Sequence, residues 1–351
     1  MVPGLHIFVS NRLEVLVRQL AREIRQPCGS AAAAVLRPET VVIQSRGMER
    51  WLALELARHL GICAHCVFPF PNAFLQELFK GLLPDNPAES LFDREAMAFA
   101  IMQRLPEFSS RPACEHLRRY LTEDPTQIKR YQLAVKIADT FDQYLVFRPD
   151  LIFAWEAGRD DHWQAALWRD LAAGREGCHR AGLQRKLLEK IRHDGTLAAG
   201  KLPARVSVFG LSHLPPAYLE TFAALGALMP VNLFLMNPCR EFWAEIRSPR
   251  EQVRITRRSA AELPPEALYL ESGNRLLAAM GSMGRAFFSL IQTFEAHWHE
   301  DFQAPHGESL LARVQDDILS LTEGGRTAES HPHGAPDGSI EIHVCHSPMR
   351  E

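Results

Sequence analysis

The chain has 351 residues, of which 46% are hydrophobic and 23% are charged, and its formal net charge is −3. These values are typical of a globular protein with two or three domains, and they exclude a global electrostatic attraction to nucleic acid. No apolar run reaches the ~20 residues of a membrane span, and the first residues do not resemble a signal peptide. Seven scattered cysteines indicate reduced thiols rather than a disulfide framework. We therefore expect a cytoplasmic protein without membrane contact.

Strand and helix patterns alternate in the first part of the chain. Ile7–Val9 is a short apolar strand, and the leucines and isoleucine that follow it have helical spacing. "TVVIQS" predicts a second buried strand, and "GMERWLALELARHLG" predicts a helix that Gly61 closes in a left-handed conformation. This alternation predicts a parallel α/β layer.

A helical insertion is predicted from Phe74 to about Ala199, where strand patterns fade and six amphipathic runs follow one another. We expect turns to break these runs at Pro84, Pro87, Pro106, Pro112, Pro125 and Pro149. Afterwards Val206–Phe209 and Val231–Leu235 read as strands, with a helix from Pro215/Pro216 to about Leu228 between them. This spacing predicts a right-handed βαβ crossover.

The predicted domain boundaries follow from these patterns. Residues 1–322 form the first domain: an α/β core at about 1–73 and 200–240, the helical insert at about 74–199, and further helices at about 241–322. Residues 323–338 are Gly/Pro-rich and polar, which predicts a linker. Residues 339–351 begin with a strand pattern, "IEIHV", which predicts the truncated start of a second domain.

The first strand is followed by Ser10, Asn11 and Arg12, at the position where an ATP-driven protein carries its phosphate loop. Such a loop needs glycines whose amides surround the phosphates, together with a Lys and a Ser or Thr. The sequence contains no G-x-x-x-x-G-K-[ST] motif, and Gly47 and Gly210 have no Lys partner. We predict that this chain does not hydrolyse ATP.

Two short motifs contain metal-binding residue types. "CAHC" (Cys63–Cys66) supplies one pair of thiols, whereas a structural zinc site usually needs two such pairs, so we interpret it as two half-buried thiols. "HWHED" contains His297 and His299, which on the helix we expect here would point about 200° apart. We interpret it as a solvated helix end.

Asp139 and Asp142 lie three residues apart on a predicted helix, and hence on one face. Paired carboxylates could bind Mg²⁺ for nuclease chemistry, with His297 and His299 as further candidates. Such nucleases also need a catalytic Lys near carboxylates on strands, and that motif is absent. The preferred interpretation is a solvated or ion-paired helix face, with Arg148 as a possible partner.

Basic residues adjoin aromatic ones at two places and could contact phosphates and stack on bases, although surface helices are often this basic. These residues are Arg118, Arg119, Tyr120, Lys129, Arg130 and Tyr131. Arg46 and Arg50 flank a strand-to-helix turn at the carboxyl edge of the predicted sheet, where α/β proteins bind ligands.

Seven stretches together resemble the RecC family, the gamma chains of the RecBCD helicase–nuclease (exodeoxyribonuclease V). In chain order they are "SNRLEVL", "VIQSRGMERWLALELA", "FPFPNAFLQELF", "ADTFDQYLVFRPD", "GLSHLPPAYLETFAALG", "NPCREFWAEI" and "HVCHSPMRE". The resemblance covers essentially the whole chain and implies the N-terminal part of a longer protein. It also implies the fold class: a degenerate superfamily 1 helicase-like, P-loop NTPase-like parallel-sheet core with a large helical insertion.

The function that the resemblance implies is that of a non-catalytic DNA-binding and scaffold subunit. Such a subunit acts in double-strand-break repair by homologous recombination, guides the unwound strands, and scans the 3′-ended strand for a Chi-like sequence. RecB-like and RecD-like partners would carry ATP, Mg²⁺ and the nuclease centre, and the DNA would be single-stranded or forked double-stranded. The alternatives are a stand-alone metal-dependent nuclease and a protein-interaction module without DNA contact.

The resemblance also assigns a set of DNA-contacting residues by matching motifs. They are Gln44, Arg46, Arg50, Phe70, Gln76, Asp139, Thr140, Asp142, Arg148 and Lys186. Better-known members carry uncharged polar residues where Arg46 and Arg50 stand, an aromatic where Gln76 stands and an aliphatic residue where Thr140 stands. Added positive charge favours phosphate contact but does not preserve a base code, so the DNA sequence that is read can differ.

Overall fold

The computed structural model describes residues 3–26, 37–83, 91–122, 124, 126–193, 202–259, 273–323 and 337–344. The chain divides into two compact units. The sheet unit comprises Met1–Phe68, Ala204–Leu214 and Pro230–Glu351, and the helical unit comprises Pro69–Pro203 and Pro215–Met229.

The sheet unit is built on a parallel β-sheet. Its strands in the described residues are β1 Gly4–Ser10, β2 Glu39–Val42, β3 Cys66–Val67, β4 Val206–Phe209, β5 Pro230–Met236 and β6 His297–Glu300. They lie in the order β3-β2-β4-β5-β1-β6, and every neighbouring pair is parallel. The predicted parallel α/β layer is confirmed.

The α-helices of the described residues are α1 Leu13–Arg25, α2 Arg46–Leu60, α3 Pro71–Leu82, α4 Arg94–Ser110, α5 Glu115–Leu121, α6 Ile128–Phe147, α7 Pro149–Glu156, α8 Trp163–Ala172, α9 Arg180–His193, α10 Pro216–Gly226, α11 Pro249–Ser259, α12 Arg275–Met280, α13 Ser282–Ile291 and α14 Leu310–Leu319. Helices α3 to α10 belong to the helical unit. None of the helices in these ranges is both long and apolar enough to cross a membrane.

Strand β1 lies inside the sheet, and almost every one of its side chains is buried. Such a continuous apolar run is typical of a parallel strand that is covered on both faces. Ile7 pairs with Leu233 of β5 on one side and with Trp298 of β6 on the other. On α1, Leu16 and Leu20 are fully buried, as their helical spacing predicts.

The predicted βαβ crossover is confirmed, since β4 and β5 pair in parallel with Phe209 opposite Phe234. Its helix, α10, contributes to the core of the helical unit, where Phe222 stacks on Phe74 with 5.6 Å between ring centroids. The left-handed end of α2 is also confirmed: Gly61 has φ +88° and donates its amide to Ala57 O at 2.9 Å.

The six amphipathic runs all form helices, and their aromatic residues build the core of the helical unit. Phe141 is fully buried and contacts Trp155 and Trp168 edge-to-face. The predicted break at Pro106 is wrong, because Pro106 lies inside α4, whose apolar side chains before and after it are buried. Burial of these side chains outweighs the ~3 kcal/mol cost of an interior proline.

The other prolines have different outcomes. Pro112 begins a short 3-10 turn and Pro149 is the first residue of α7, as expected for breaks. The predictions at Pro84, Pro87 and Pro125 lie outside the described residues.

The predicted helix across "HWHED" is wrong, because His297–Glu300 form β6 at the edge of the sheet. Successive side chains of a strand point to opposite faces, so His297 and His299 share one face. They stack on His6 of β1, with centroid distances of 4.9 and 5.8 Å. An edge strand exposes most of its side chains and therefore lacks the apolar alternation by which strands are recognised.

The predicted strand at "IEIHV" is not formed in residues 337–344, where Ile342 and Val344 are each 87% exposed. A strand needs a hydrogen-bonded neighbour, and the described part of the chain supplies none here. Most of the predicted linker and residues 345–351 lie outside the described residues, so these boundaries stay predictions.

Candidate nucleic-acid interface

The β1–α1 turn is closed by hydrogen bonds within the chain. Ser10 is fully buried, and its hydroxyl accepts from the Arg12 amide at 3.2 Å. The Asn11 side chain makes a two-way contact with the Gln303 backbone: Nδ2 donates to Gln303 O at 2.8 Å, and Oδ1 accepts from Gln303 N at 3.0 Å. The side-chain amide of Asn11 is therefore directed at another segment of the protein.

The β2–α2 turn presents exposed polar side chains at the carboxyl edge of the sheet. Ser45 caps α2 by accepting from the Met48 amide at 3.1 Å. Gln44, Arg46 and Arg50 are exposed around this cap. Arg46 pairs with Glu49 at 2.6 Å while its side chain stays 76% exposed, so the guanidinium remains accessible to an anion.

The two thiols of "CAHC" are half-buried and free, which confirms that part of their interpretation. Burial, followed by the neighbouring Cys63, raises the pKa of Cys66 to about 12. Cys66 is therefore a protonated thiol at neutral pH.

In the helical unit, Asp139 and Asp142 lie on α6 as predicted, and each pairs with an arginine from a different helix. Arg94 lies 3.3 Å from Asp139, and Arg180 lies 3.4 Å from Asp142. Arg148 does not contact either carboxylate, so the suggested pairing is wrong. Neither Arg94 nor Arg180 could be identified as a partner from local spacing, because both are distant from these carboxylates along the chain.

Arg148 instead pairs with Asp150, two residues later, through two contacts of 3.3 Å. This hydrogen bond raises the pKa of Arg148 and is the largest cause that lowers the pKa of Asp150. Arg148 is the C-cap of α6 and the N-cap of α7, so it lies directly before the helical turn that carries Asp150. Both side chains are more than half exposed.

The remaining residues assigned by resemblance lie on three helices of the helical unit. Phe70 is the half-buried N-cap of α3, and Gln76 is exposed on that helix. Thr140 is half-buried and bonds back to Lys136 O at 2.8 Å. Lys186 is exposed on α9. The structure thus brings Asp139, Thr140 and Asp142 together on one helix.

Most of the basic and aromatic residues around α5 and α6 are individually exposed. Tyr120 is 50% exposed, and Arg118, Arg119 and Lys129 are exposed as well. Tyr131 lies against Phe99 of α4, at 6.1 Å between ring centroids. Phe99 is 58% exposed and was missed by the sequence analysis, because a single apolar residue on a helix gives no signal of its own.

Across the described ranges, no three His, Cys, Asp or Glu side chains are grouped so that they could hold a metal ion. The histidines of β6 face His6 rather than a carboxylate. Neither carboxylate of α6 therefore belongs to a metal-binding cluster of described residues, and both are paired with arginine.

Comparison with known proteins identifies the family. The family model described as "RecC, N-terminal domain" matches residues 5–321. The chain belongs to the RecC family. RecBCD enzyme subunit RecC of Escherichia coli K12 is 34% identical over 99% of this chain and 34% of its own length. RecC of Haemophilus influenzae is 32% identical over 89% of this chain and 33% of its length, and that of Mycolicibacterium smegmatis is 28% identical over 99% and 30%.

The predicted resemblance to RecC is confirmed by these matches. The chain spans about a third of the length of the curated RecC relatives it matches.

Proposed function

We propose that this chain is the N-terminal part of a non-catalytic DNA-binding and scaffold subunit of a RecBCD-type helicase–nuclease. Its relatives are named as subunits of the RecBCD enzyme, which acts in DNA repair by recombination. The observation that carries the proposal is the β1–α1 turn, where Asn11 bonds to Gln303 in place of a glycine-rich loop.

In this proposal the sheet unit is a superfamily 1 helicase-like core that has lost its phosphate site. A parallel sheet with its ligand edge at the strand carboxyl ends supports it. A phosphate loop directs the backbone amides of the turn at the phosphates, whereas here the Arg12 amide is bonded to the Ser10 hydroxyl. ATP and Mg²⁺ then belong to RecB-like and RecD-like partners, which bind this subunit in the cytoplasm.

The unwound DNA strands of a forked duplex would pass the exposed residues of both units, and the 3′-ended strand would be scanned for a Chi-like sequence. Arg46 and Arg50 would contact phosphates, because both are exposed beside a helix N-terminus. The carboxylates of Asp139 and Asp142 would accept hydrogen bonds from the amino groups of bases while Arg94 and Arg180 hold them in position. Gln44, Phe70, Gln76, Thr140, Arg148 and Lys186 complete the proposed set.

The exposed rings of Phe99, Tyr120 and Tyr131 support contact with single-stranded DNA. Aromatic side chains stack on bases of any sequence, and neighbouring cations bind the phosphates. Lys129 and Arg118 supply such cations.

The proposal is tested by binding a labelled single strand to the chain across a salt series, with Mg²⁺ present and ATP absent. We expect salt-dependent binding without cleavage. Each phosphate contact that is lost reduces the slope of log K against log salt by about 0.7. The double variant Arg46→Ala/Arg50→Ala should therefore lower the slope by about 1.4 if both arginines contact phosphates.

Arg18→Ala/Arg22→Ala is the matched control, because these arginines are also exposed and four residues apart on a helix of the sheet unit. Equal weakening by both double variants would contradict a specific path at the β2–α2 turn. Cleavage of the DNA, or ATP hydrolysis by the purified chain, would overturn the non-catalytic assignment. Absence of binding at any salt concentration would favour a protein-interaction module.

A further inference from the structure

The helical unit contains a cavity of about 360 Å³ between α6, α7, α9 and α10. Its walls are largely apolar and include the aromatic rings of Phe147 and Phe153. Phe147 is 55% exposed, although it is a large apolar side chain. The volume lies within the ~300–1,000 Å³ of small-molecule sites. None of the residues that line the cavity belongs to the set assigned by family resemblance.

Gln184 of α9 supplies a buried polar group in this cavity, since only 7% of the residue is exposed. Its amide nitrogen donates to Ala217 O and to Thr221 Oγ1, the latter at 3.2 Å. The Thr221 hydroxyl itself donates to Ala217 O at 3.0 Å, so it offers only a lone pair to Gln184.

These partners fix the orientation of the Gln184 amide. Ala217 O can only accept, so the nitrogen and not the oxygen of Gln184 must face it. The Gln184 oxygen consequently points the other way, and it accepts no hydrogen bond from the residues that the structure describes. A fixed acceptor on a largely buried residue of the cavity wall favours a ligand with an N–H donor.

The mouth of the cavity carries two arginines. The guanidinium of Arg185 lies 4.0 Å from the centroid of the Phe153 ring, which fixes its position and leaves its N–H edge accessible. Arg192 is exposed two turns further along α9. Neither arginine pairs with a carboxylate among the described residues, although Glu189 and Glu220 also line the cavity. The mouth can therefore bind an anion as well as amino groups.

We propose that this pocket binds one nucleotide. A ring N–H of the base would donate to the Gln184 oxygen, the base would lie against Phe147, and the phosphate would meet Arg185 and Arg192. Exocyclic amino groups would be accepted by Glu189 or Glu220. The inference rests on the proposed function in one respect: we expect the bound nucleotide to be part of a DNA strand. A free mononucleotide presents the same chemistry, and the experiment distinguishes the two sources.

The test uses the whole chain, with dTMP as the probe and saturation-transfer NMR as the readout. N3-methyl-dTMP lacks the ring N–H, so it removes the donor to Gln184 without changing the protein. We expect it to bind about tenfold more weakly than dTMP, because the Gln184 oxygen then faces a methyl group in place of a donor. Base-free deoxyribose 5-phosphate should not compete with dTMP.

Two exposed positions supply the protein variants. Arg192→Ala and Phe147→Ala should each weaken binding of dTMP about fivefold or more, whereas Arg175→Ala should not change it. Arg175 is a matched control because it is an exposed arginine of the same unit that does not line the cavity. Arg192→Ala and Phe147→Ala should also weaken binding of a single-stranded oligonucleotide if the bound nucleotide is part of a strand.

The possible outcomes are distinct. If deoxyribose 5-phosphate binds as tightly as dTMP, the site is only an anion site. If N-acetylarginine amide competes as well as dTMP does, the occupant is a protein segment. Either result overturns the inference. If the oligonucleotide binds but neither dTMP nor the pocket variants show an effect, the pocket inference fails and the proposed function stands. If dTMP binds in this pattern and the oligonucleotide does not, the proposed function fails and the pocket stands as a mononucleotide site.

Discussion

Arg205 joins three elements of the sheet unit, and its removal provides a sharp test of how that unit is held together. The residue is only 3% exposed. Its guanidinium donates to both carboxylate oxygens of Glu39 at the start of β2, and to the backbone oxygens of Ile24 and Gln26 at the end of α1, each at 3.0 Å. Arg205→Met keeps an unbranched apolar stem and removes the charge and all of these donors.

The expected cost follows from what the substitution leaves behind. Breaking a buried ion pair by removing one partner costs about 3–5 kcal/mol, since the other charge stays buried and unpaired. The Glu39 side chain is 24% exposed and can regain some hydration, so the lower end of this range, about 3 kcal/mol, is expected. Removing Arg205 also removes an interaction that lowers the pKa of Glu23, whose pKa is already raised by burial.

Urea unfolding measures this loss, and hydrogen exchange of β2 and β4 shows whether it is local. The double variant Arg205→Met/Glu39→Gln should recover at least about 1 kcal/mol relative to the sum of the two single variants, because the unpaired carboxylate is gone. Arg313→Ala, at an exposed arginine of the same unit, should stay within about 0.5 kcal/mol of the parent. A cost below about 1 kcal/mol for Arg205→Met, or strict additivity in the double variant, would refute the reasoning.

Two further predictions concern one site in each unit. The Ser248 amide and Arg285 hold the pKa of Glu251 at about 2, below its ordinary value of 4.5. The carboxylate of Glu251 therefore stabilises the fold fully above about pH 4.5, and this stabilisation is lost as the pH falls toward 2. Glu251→Gln should flatten the dependence of the urea midpoint on pH in this window. In the helical unit, Phe141→Ala should cost about 3–5 kcal/mol, because the ring is fully buried between tryptophans. Phe147→Ala on the same helix should cost less than about 0.5 kcal/mol, and equal losses in urea unfolding would contradict this assignment of the core.

Local patterns in the sequence were sufficient for the central strands and for most helices. β1, β2, β4 and β5 are short runs of buried apolar residues between turn signals, and such runs are diagnostic of covered parallel strands. The end of α2 was predictable as well, since Gly61 tolerates the positive φ that closes a helix.

Features that depend on tertiary contacts could not be predicted in the same way. Pro106 stays inside α4 because burial on both sides of it compensates for the lost hydrogen bond, and burial is not visible in a local pattern. β6 carries polar and aromatic residues at a sheet edge, and its pairing with β1 decides its structure. Arg94 and Arg180 reach the carboxylates of α6 from separate helices, so neither spacing nor composition identified them.

The central position of β1 has a consequence for synthesis of the chain on the ribosome. β1 is made first, yet its neighbours in the sheet are β5 and β6, and Asn11 bonds to a residue 292 positions later. At about 5–20 residues per second, that partner emerges roughly 15–60 s after Asn11. Until β5 has been made, both edges of this apolar strand are unpaired, and such edges associate with other chains. The nascent chain therefore needs protection, by a chaperone or by non-native contacts, until β5 and β6 have been translated.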